Sequence, residues 1–158
     1  MLEIYETKDV DTIIELNNII FGDQINEDYI KAYIYRKNYD SKPFYFLLLK
    51  NHQKIGYAVC FTKNKTFFTI WLIGIIAEFR NSGHGSFFYQ QIEKYAKDNS
   101  FTDIEVVTYN KRRNMLSLLI KNNFFITNTS YSFKRNDTKI IFNKRLNINQ
   151  SHNISAYP

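Results

Sequence analysis

Between Trp71 and Ser86 the chain changes its period, and this change limits the fold more than any other feature. The apolar run Trp71-Leu72-Ile73-Gly74-Ile75-Ile76 has the texture of a buried strand. It meets a polar turn carrying Gly83 and Gly85, beyond which Phe88, Ile92, Tyr95 and Ala96 recur at helical spacing with Gln, Glu and Lys between them. A strand that feeds an amphipathic helix through a glycine turn belongs to a layered α/β domain. Successive N–H groups of such a turn point into one concavity, and the first turn of the helix adds unpaired donors and the positive end of its dipole. That arrangement binds phosphate. Gly83 and Gly85 let the backbone come close without a Cβ in the way, and Arg80 sets a fixed positive charge on the same rim.

The remaining segments extend the pattern. Leu2 and Ile4 alternate with Glu3 and Tyr5 as a strand, and Val10, Ile13, Ile14, Leu16, Asn17, Ile20 and Phe21 form a helical stripe that stops at Gly22. After an acidic loop, Tyr29, Ile30, Ala32 and Tyr33 mark a second helix ending near Lys37. Pro43 to Lys50 and Lys54 to Lys63 read as a hairpin around Asn51-His52-Gln53, followed by a third β-rich run from Thr66 to Ile76. Asp103 to Tyr109 is a strand, Met115, Leu118 and Leu119 mark a helix, and Phe124 to Phe133 with Lys139 to Asn143 close the chain as strands around Asn136-Asp137. The order is βααβββαβαββ. At 158 residues and 18.9 kDa the chain is read as one domain over 1–146, with 147–158 as a flexible tail.

Charge and cysteine content narrow the setting. The net charge of +6 favours anionic ligands without separating nucleic acid from a phosphorylated small molecule. Cys60 is the only cysteine, so no intrachain disulfide forms, and its apolar neighbours bury it in a strand. The first residues lack the basic and apolar regions of a signal peptide, and the apolar run Phe67 to Ala77 is far short of the roughly 20 residues of a membrane helix. A cytoplasmic protein without membrane contact is expected. The three histidines and Cys60 are too scattered for a zinc site, so no metal is expected. The His84 side chain is read as solvated and Trp71 as core, and Lys111-Arg112-Arg113 reads as the rim of a phosphate site or a solvated run rather than a nucleic-acid patch.

A Walker loop requires a Lys-Ser/Thr after its last glycine and a Rossmann loop a third glycine, but position 88 is Phe. What remains is Arg80-Asn81-Ser82-Gly83-His84-Gly85 after Ala77-Glu78-Phe79, followed by a strand with Val106-Val107-Thr108, a helix with Met115 and Leu118-Leu119, and Asn123-Phe124. In this register residues 66–125 resemble the central part of the GNAT family of N-acetyltransferases. The resemblance implies a mixed, twisted sheet of about seven strands flanked by about four helices. It also implies acetyl-CoA as co-substrate, direct acetyl transfer to an amine, and no metal. The backbone of Ile73, Gly74 and Ile75 is then expected to pair with the pantetheine amides. The N–H groups of Asn81, Ser82, Gly83, His84, Gly85 and Ser86, with Arg80, are expected to hold the pyrophosphate. The N–H of Ile75 is the candidate for polarising the acetyl carbonyl.

Three positions depart from the family pattern. Leu119 stands where a Tyr commonly protonates the departing sulfur, which leaves Tyr131, ahead of Tyr109, as the candidate acid. Asn123 replaces a glycine, and a left-handed cap tolerates Asn best among the other residues. Counting back from Phe124 puts Arg112 at the family's cofactor-binding Asn, whereas Asn110 and Asn114 match by type, with Asn114 taken as the candidate. Asp23 and Glu27 are candidate general bases that also read as solvated acids near helix ends. Among acceptors the likeness suggests a small-molecule amine such as a nucleotide-linked amino sugar. The alternatives are a protein N-terminus or aminoacyl-tRNA, the latter disfavoured by the acidic loop, and a member that binds CoA without turnover. In the family the sheet often continues into a second copy through its last strands, which makes Lys139 to Asn143 the expected edge of a homodimer.

Overall fold

The structure, a computed structural model, describes residues 1–40 and 42–146. The side chains of 37–40 and the expected tail, 147–158, lie outside that description. The elements run β1 (Leu2–Thr7), α1 (Val10–Phe21), α2 (Glu27–Asp40), β2 (Pro43–Lys50), β3 (Gln53–Thr62), β4 (Phe67–Ile75), a single 3-10 turn (Ala77–Phe79), α3 (His84–Asp98), β5 (Asp103–Tyr109), α4 (Arg113–Lys121), β6 (Phe125–Ser132) and β7 (Asp137–Arg145). This is the βααβββαβαββ order read from periodicity, with one mixed seven-stranded sheet in the order β1-β2-β3-β4-β5-β7-β6. The second helix continues past Lys37 to Asp40.

The contacts divide the chain into two compact units. In the first, Met1–Thr62 with Ile70–Gln91, β1 pairs antiparallel with β2 and β2 with β3. The β2–β3 connection is the two residues Asn51 and His52, with φ of 48° and 68°, the backbone a tight hairpin turn requires. Helix α1 starts on Asp9, whose carboxylate accepts the Thr12 N–H at 3.2 Å and the Thr12 hydroxyl at 2.7 Å. Ile13, Ile14 and Leu16 from α1 and Ile30 and Ile34 from α2 join Tyr45, Leu47, Tyr57, Val59 and Leu72 from the strands in one apolar cluster. Asn17 is fully buried there: its Nδ2 donates to the Ile25 carbonyl at 2.9 Å and its Oδ1 accepts from the Tyr57 hydroxyl at 2.7 Å. This side chain ties the loop after α1 to the sheet.

In the second unit, Lys63–Thr69 with the chain from Ile92 on, β7 pairs antiparallel with both β5 and β6. The run Lys139 to Asn143 is therefore interior, and the sheet edge on this side is β6, a correction to the edge expected for a dimer. Chain order does not reveal the exchange, because both closing strands carry the same alternating texture. Helix α4 ends on Asn123 at φ 65°. The Phe124 N–H reaches the Leu119 carbonyl at 3.0 Å and the Asn123 N–H the Ile120 carbonyl at 3.1 Å, which completes the left-handed cap expected of Asn.

Candidate functional site

The turn after β4 is built from backbone geometry. Asn81 and Gly83 have φ of 60° and 80°, so the chain alternates hand between Arg80 and His84. The Phe87 N–H makes the first bond of α3, to the Gly83 carbonyl at 3.1 Å. The N–H groups of His84 and Gly85 precede it and have no acceptor within the helix. A Cβ placed on Gly83 meets nothing within 4 Å, so this side of the turn is open space. An open concavity of N–H groups at the positive end of a 15-residue helix suits a pyrophosphate.

Two side chains stiffen the turn. The Arg80 Nε donates to the Ile75 carbonyl at 2.8 Å, so the guanidinium is held beside the strand end while the side chain stays exposed. His84 corrects the expectation of a solvated ring: it is 7% exposed, and its Nδ1 lies 2.7 Å from the Phe79 carbonyl. A carbonyl only accepts, so Nδ1 carries the proton of this bond. Sequence reasoning missed Lys50, whose Nζ lies 5.8 Å from the centre of the Phe79 ring and sets a cation against the aromatic residue that precedes Arg80. Lys50 ends a strand remote in sequence from the turn, so no local spacing marks it. Ser82 donates through Oγ to the Arg80 carbonyl at 3.3 Å.

Strand β4 is crowded on one face. A Cβ on Gly74 would stand 2.6 Å from Phe21 Cε2 and 2.8 Å from Ile20 Cγ2, so the last turn of α1 rests on this glycine. On the neighbouring strand, a Cβ on Gly56 would stand 2.7 Å from the Gly74 carbonyl oxygen. Trp71 and Leu72, adjacent in sequence, both pack with the α1–α2 cluster. Ile73 is buried and Ile75 half-buried. Trp71 is only partly buried, and it stacks on Tyr33 with ring centres 3.4 Å apart and planes at 10°.

The candidate acids and bases lie on several different elements. Asp23 is exposed in the loop after α1. Glu27 opens α2 and is engaged by Lys31 at 2.5 Å and Asn18 at 3.0 Å, contacts that hold its carboxyl below the usual range, the Lys31 hydrogen bond first. Such a carboxylate is a weaker base. In the second unit Leu119 is fully buried, Asn114 is exposed on α4, and Asn110 accepts from Arg113 at 2.8 Å. Tyr131 is half-exposed on β6 and its hydroxyl donates to Asn136 Oδ1. Among the described residues no three His, Cys, Asp or Glu side chains gather as a metal site requires, and no helix is long and apolar enough to cross a membrane.

Comparison with known proteins bears on the fold and the family. Among solved structures, a GNAT family acetyltransferase from Elizabethkingia anophelis with acetyl-CoA bound superposes with a TM-score of 0.75 at 19% identity, over 92% of this chain and 98% of that one. An IAA acetyltransferase from Bacillus cereus gives 0.77 at 16% identity, over 92% and 100%. The ribosomal-protein-S18-alanine N-acetyltransferase from Escherichia coli gives 0.76 at 11% identity, over 94% and 96%. These likenesses establish the fold. No curated protein matches the sequence. The model of the acetyltransferase (GNAT) family matches residues 10–119, well over half of the chain, and the chain belongs to that family.

Proposed function

We propose that this GNAT enzyme moves the acetyl group of acetyl-CoA to the primary amine of a small molecule, with an amino sugar carried on a nucleotide as the acceptor that suits it best. The observation that carries the reading is the turn from Arg80 to Gly85: two left-handed residues, open N–H groups at a helix start and a guanidinium pinned to the strand end. Acetyl-CoA supplies an activated thioester carbonyl. In this reading Arg80, Asn81, Ser82, Gly83, His84, Gly85 and Ser86 hold its pyrophosphate, with Asn114 as a further contact. Ile73, Gly74 and Ile75 align the pantetheine arm, and the Ile75 N–H polarises the carbonyl. Tyr131 is the proposed acid for the departing sulfur. Because Glu27 is a weakened base and Asp23 is exposed, an amine that is already neutral fits better than a lysine with its ordinary value of about 10.4. A cytosolic setting accords with the single buried Cys60.

Calorimetric titration with acetyl-CoA tests the reading, repeated on Gly83→Trp, which fills the open side of the turn. Micromolar binding lost in the folded variant supports it, and no binding to the folded wild type refutes it. The full burial of Leu119 favours one second reading, CoA binding without turnover. Turnover of any amine that falls sharply in Tyr131→Phe would eliminate that alternative.

A further inference from the structure

One aromatic cluster of the first unit is unexplained by the cofactor site. Tyr29, Tyr33 and Arg36 recur at four- and three-residue spacing and so share one face of α2. Tyr33 stacks on Trp71 at 3.4 Å, Tyr29 lies 6.5 Å from both of those rings, and Phe61 lies 6.4 Å from Tyr33. The guanidinium of Arg36 stands 5.3 Å from the Tyr33 ring centre. The stack is not closed off: Tyr29 is 46% exposed, Arg36 is exposed and Trp71 is partly buried. No described carboxylate stands within ion-pair distance of Arg36.

We propose that Tyr29, Tyr33, Trp71 and Arg36 form a subsite for a planar aromatic ring that carries an anionic group, the distal end of the acceptor. The inference rests on the small-amine reading above. A ring laid on the outer face of Tyr29 extends a stack that the protein has already ordered, so little side-chain freedom is lost on binding. Arg36, held at the neighbouring Tyr33 ring, sets the charge of the patch: a cationic ligand meets a like charge there, whereas a phosphate or carboxylate gains a charge-assisted partner. Trp71 lies four residues before Ile75, roughly 13 Å along the strand at about 3.3 Å per residue. A nucleotide spans that distance between base and sugar amine better than an aromatic amino acid does, although both share the chemistry.

Trp71 is the only tryptophan, so its fluorescence, excited where tyrosine does not absorb, reports this patch directly. The wild type is titrated with uridine 5′-monophosphate and with phenylalanine, and with uridine and ribose 5-phosphate, which carry the ring and the charge alone. Saturable change with the nucleotide, weakened about tenfold in Tyr29→Ala and in Arg36→Gln and retained in Tyr29→Phe, is the expected result. Saturation with phenylalanine alone assigns the ring to an aromatic amino acid and supports the same subsite. No saturable change with either probe, or a change indifferent to Tyr29→Ala and Arg36→Gln, overturns the proposal. Calorimetry with acetyl-CoA on the same variants separates the two readings: acetyl-CoA binding with a silent patch defeats only the subsite, and the reverse defeats only the cofactor reading.

Discussion

The contact between α1 and Gly74 yields the most demanding prediction. In Gly74→Ala the new methyl meets Phe21 Cε2 at 2.6 Å, Ile20 Cγ2 at 2.8 Å and Phe21 Cζ at 2.9 Å, all closer than real carbon contacts. A strand alanine is favoured over glycine by about 0.5–1 kcal/mol, whereas overpacking of this kind costs about 1–3 kcal/mol. Three contacts under 3.0 Å put the crowding in the upper part of its range, so it wins, with a net loss of about 1–2 kcal/mol and a fall in Tm of about 2–8 °C for a chain of this size. Phe21→Leu removes both ring atoms, so in the double variant the alanine costs about 1 kcal/mol less than it does beside phenylalanine. The Ile20 contact remains and keeps the rescue partial. Urea denaturation of the two single variants and the double supplies the cycle. Additivity within about 0.3–0.5 kcal/mol, or a Gly74→Ala that is neutral alone, would refute the packing argument.

Three further outcomes are expected. Asn123→Gly raises stability by up to about 1 kcal/mol and Asn123→Ala lowers it by about as much, since φ there is 65°; chemical denaturation distinguishes the signs. Tyr57→Phe strips the buried Asn17 Oδ1 of its donor and costs about 1–3 kcal/mol, read from the same assay. Asp9 is held below the usual carboxylate range, first by the Thr12 hydroxyl and then by the Thr12 N–H. Its contribution is complete above the unfolded value near pH 4 and is lost as pH falls through the lower folded value. Asp9→Ala therefore melts below the wild type at pH 7, and the gap narrows as the pH is lowered below the unfolded value.

Local pattern carried most of the fold. Strands β2 and β5 begin and end where alternation and flanking polar residues place them, and the Arg80–Gly85 turn was legible because its glycines, arginine and following helix are contiguous. What was illegible is non-local. The position of β7 between β5 and β6 depends on which strand pairs with which, and period carries no record of that. The burial of the His84 ring depends on a carbonyl five residues earlier being turned toward it by the 3-10 turn. Trp71 read as core because an aromatic in an apolar run usually is; its stack with Tyr33 arises only when α2 is laid over β4. Lys50 reaches the Phe79 ring for the same reason, from the far end of a hairpin.

The strand order also governs how this half of the molecule is made. Strands β5 and β6 emerge from the ribosome first, yet they do not pair with each other, because β7 fills the place between them. At synthesis rates of about 5–20 residues per second the nascent chain waits for seconds with one edge of β5 open and the uncharged β6 without a strand partner. The hairpin turn that returns β7 is then the event that closes both ladders together, and a ribosome stalled before Arg145 holds a segment with open edges, the form that chaperones bind and proteases cut.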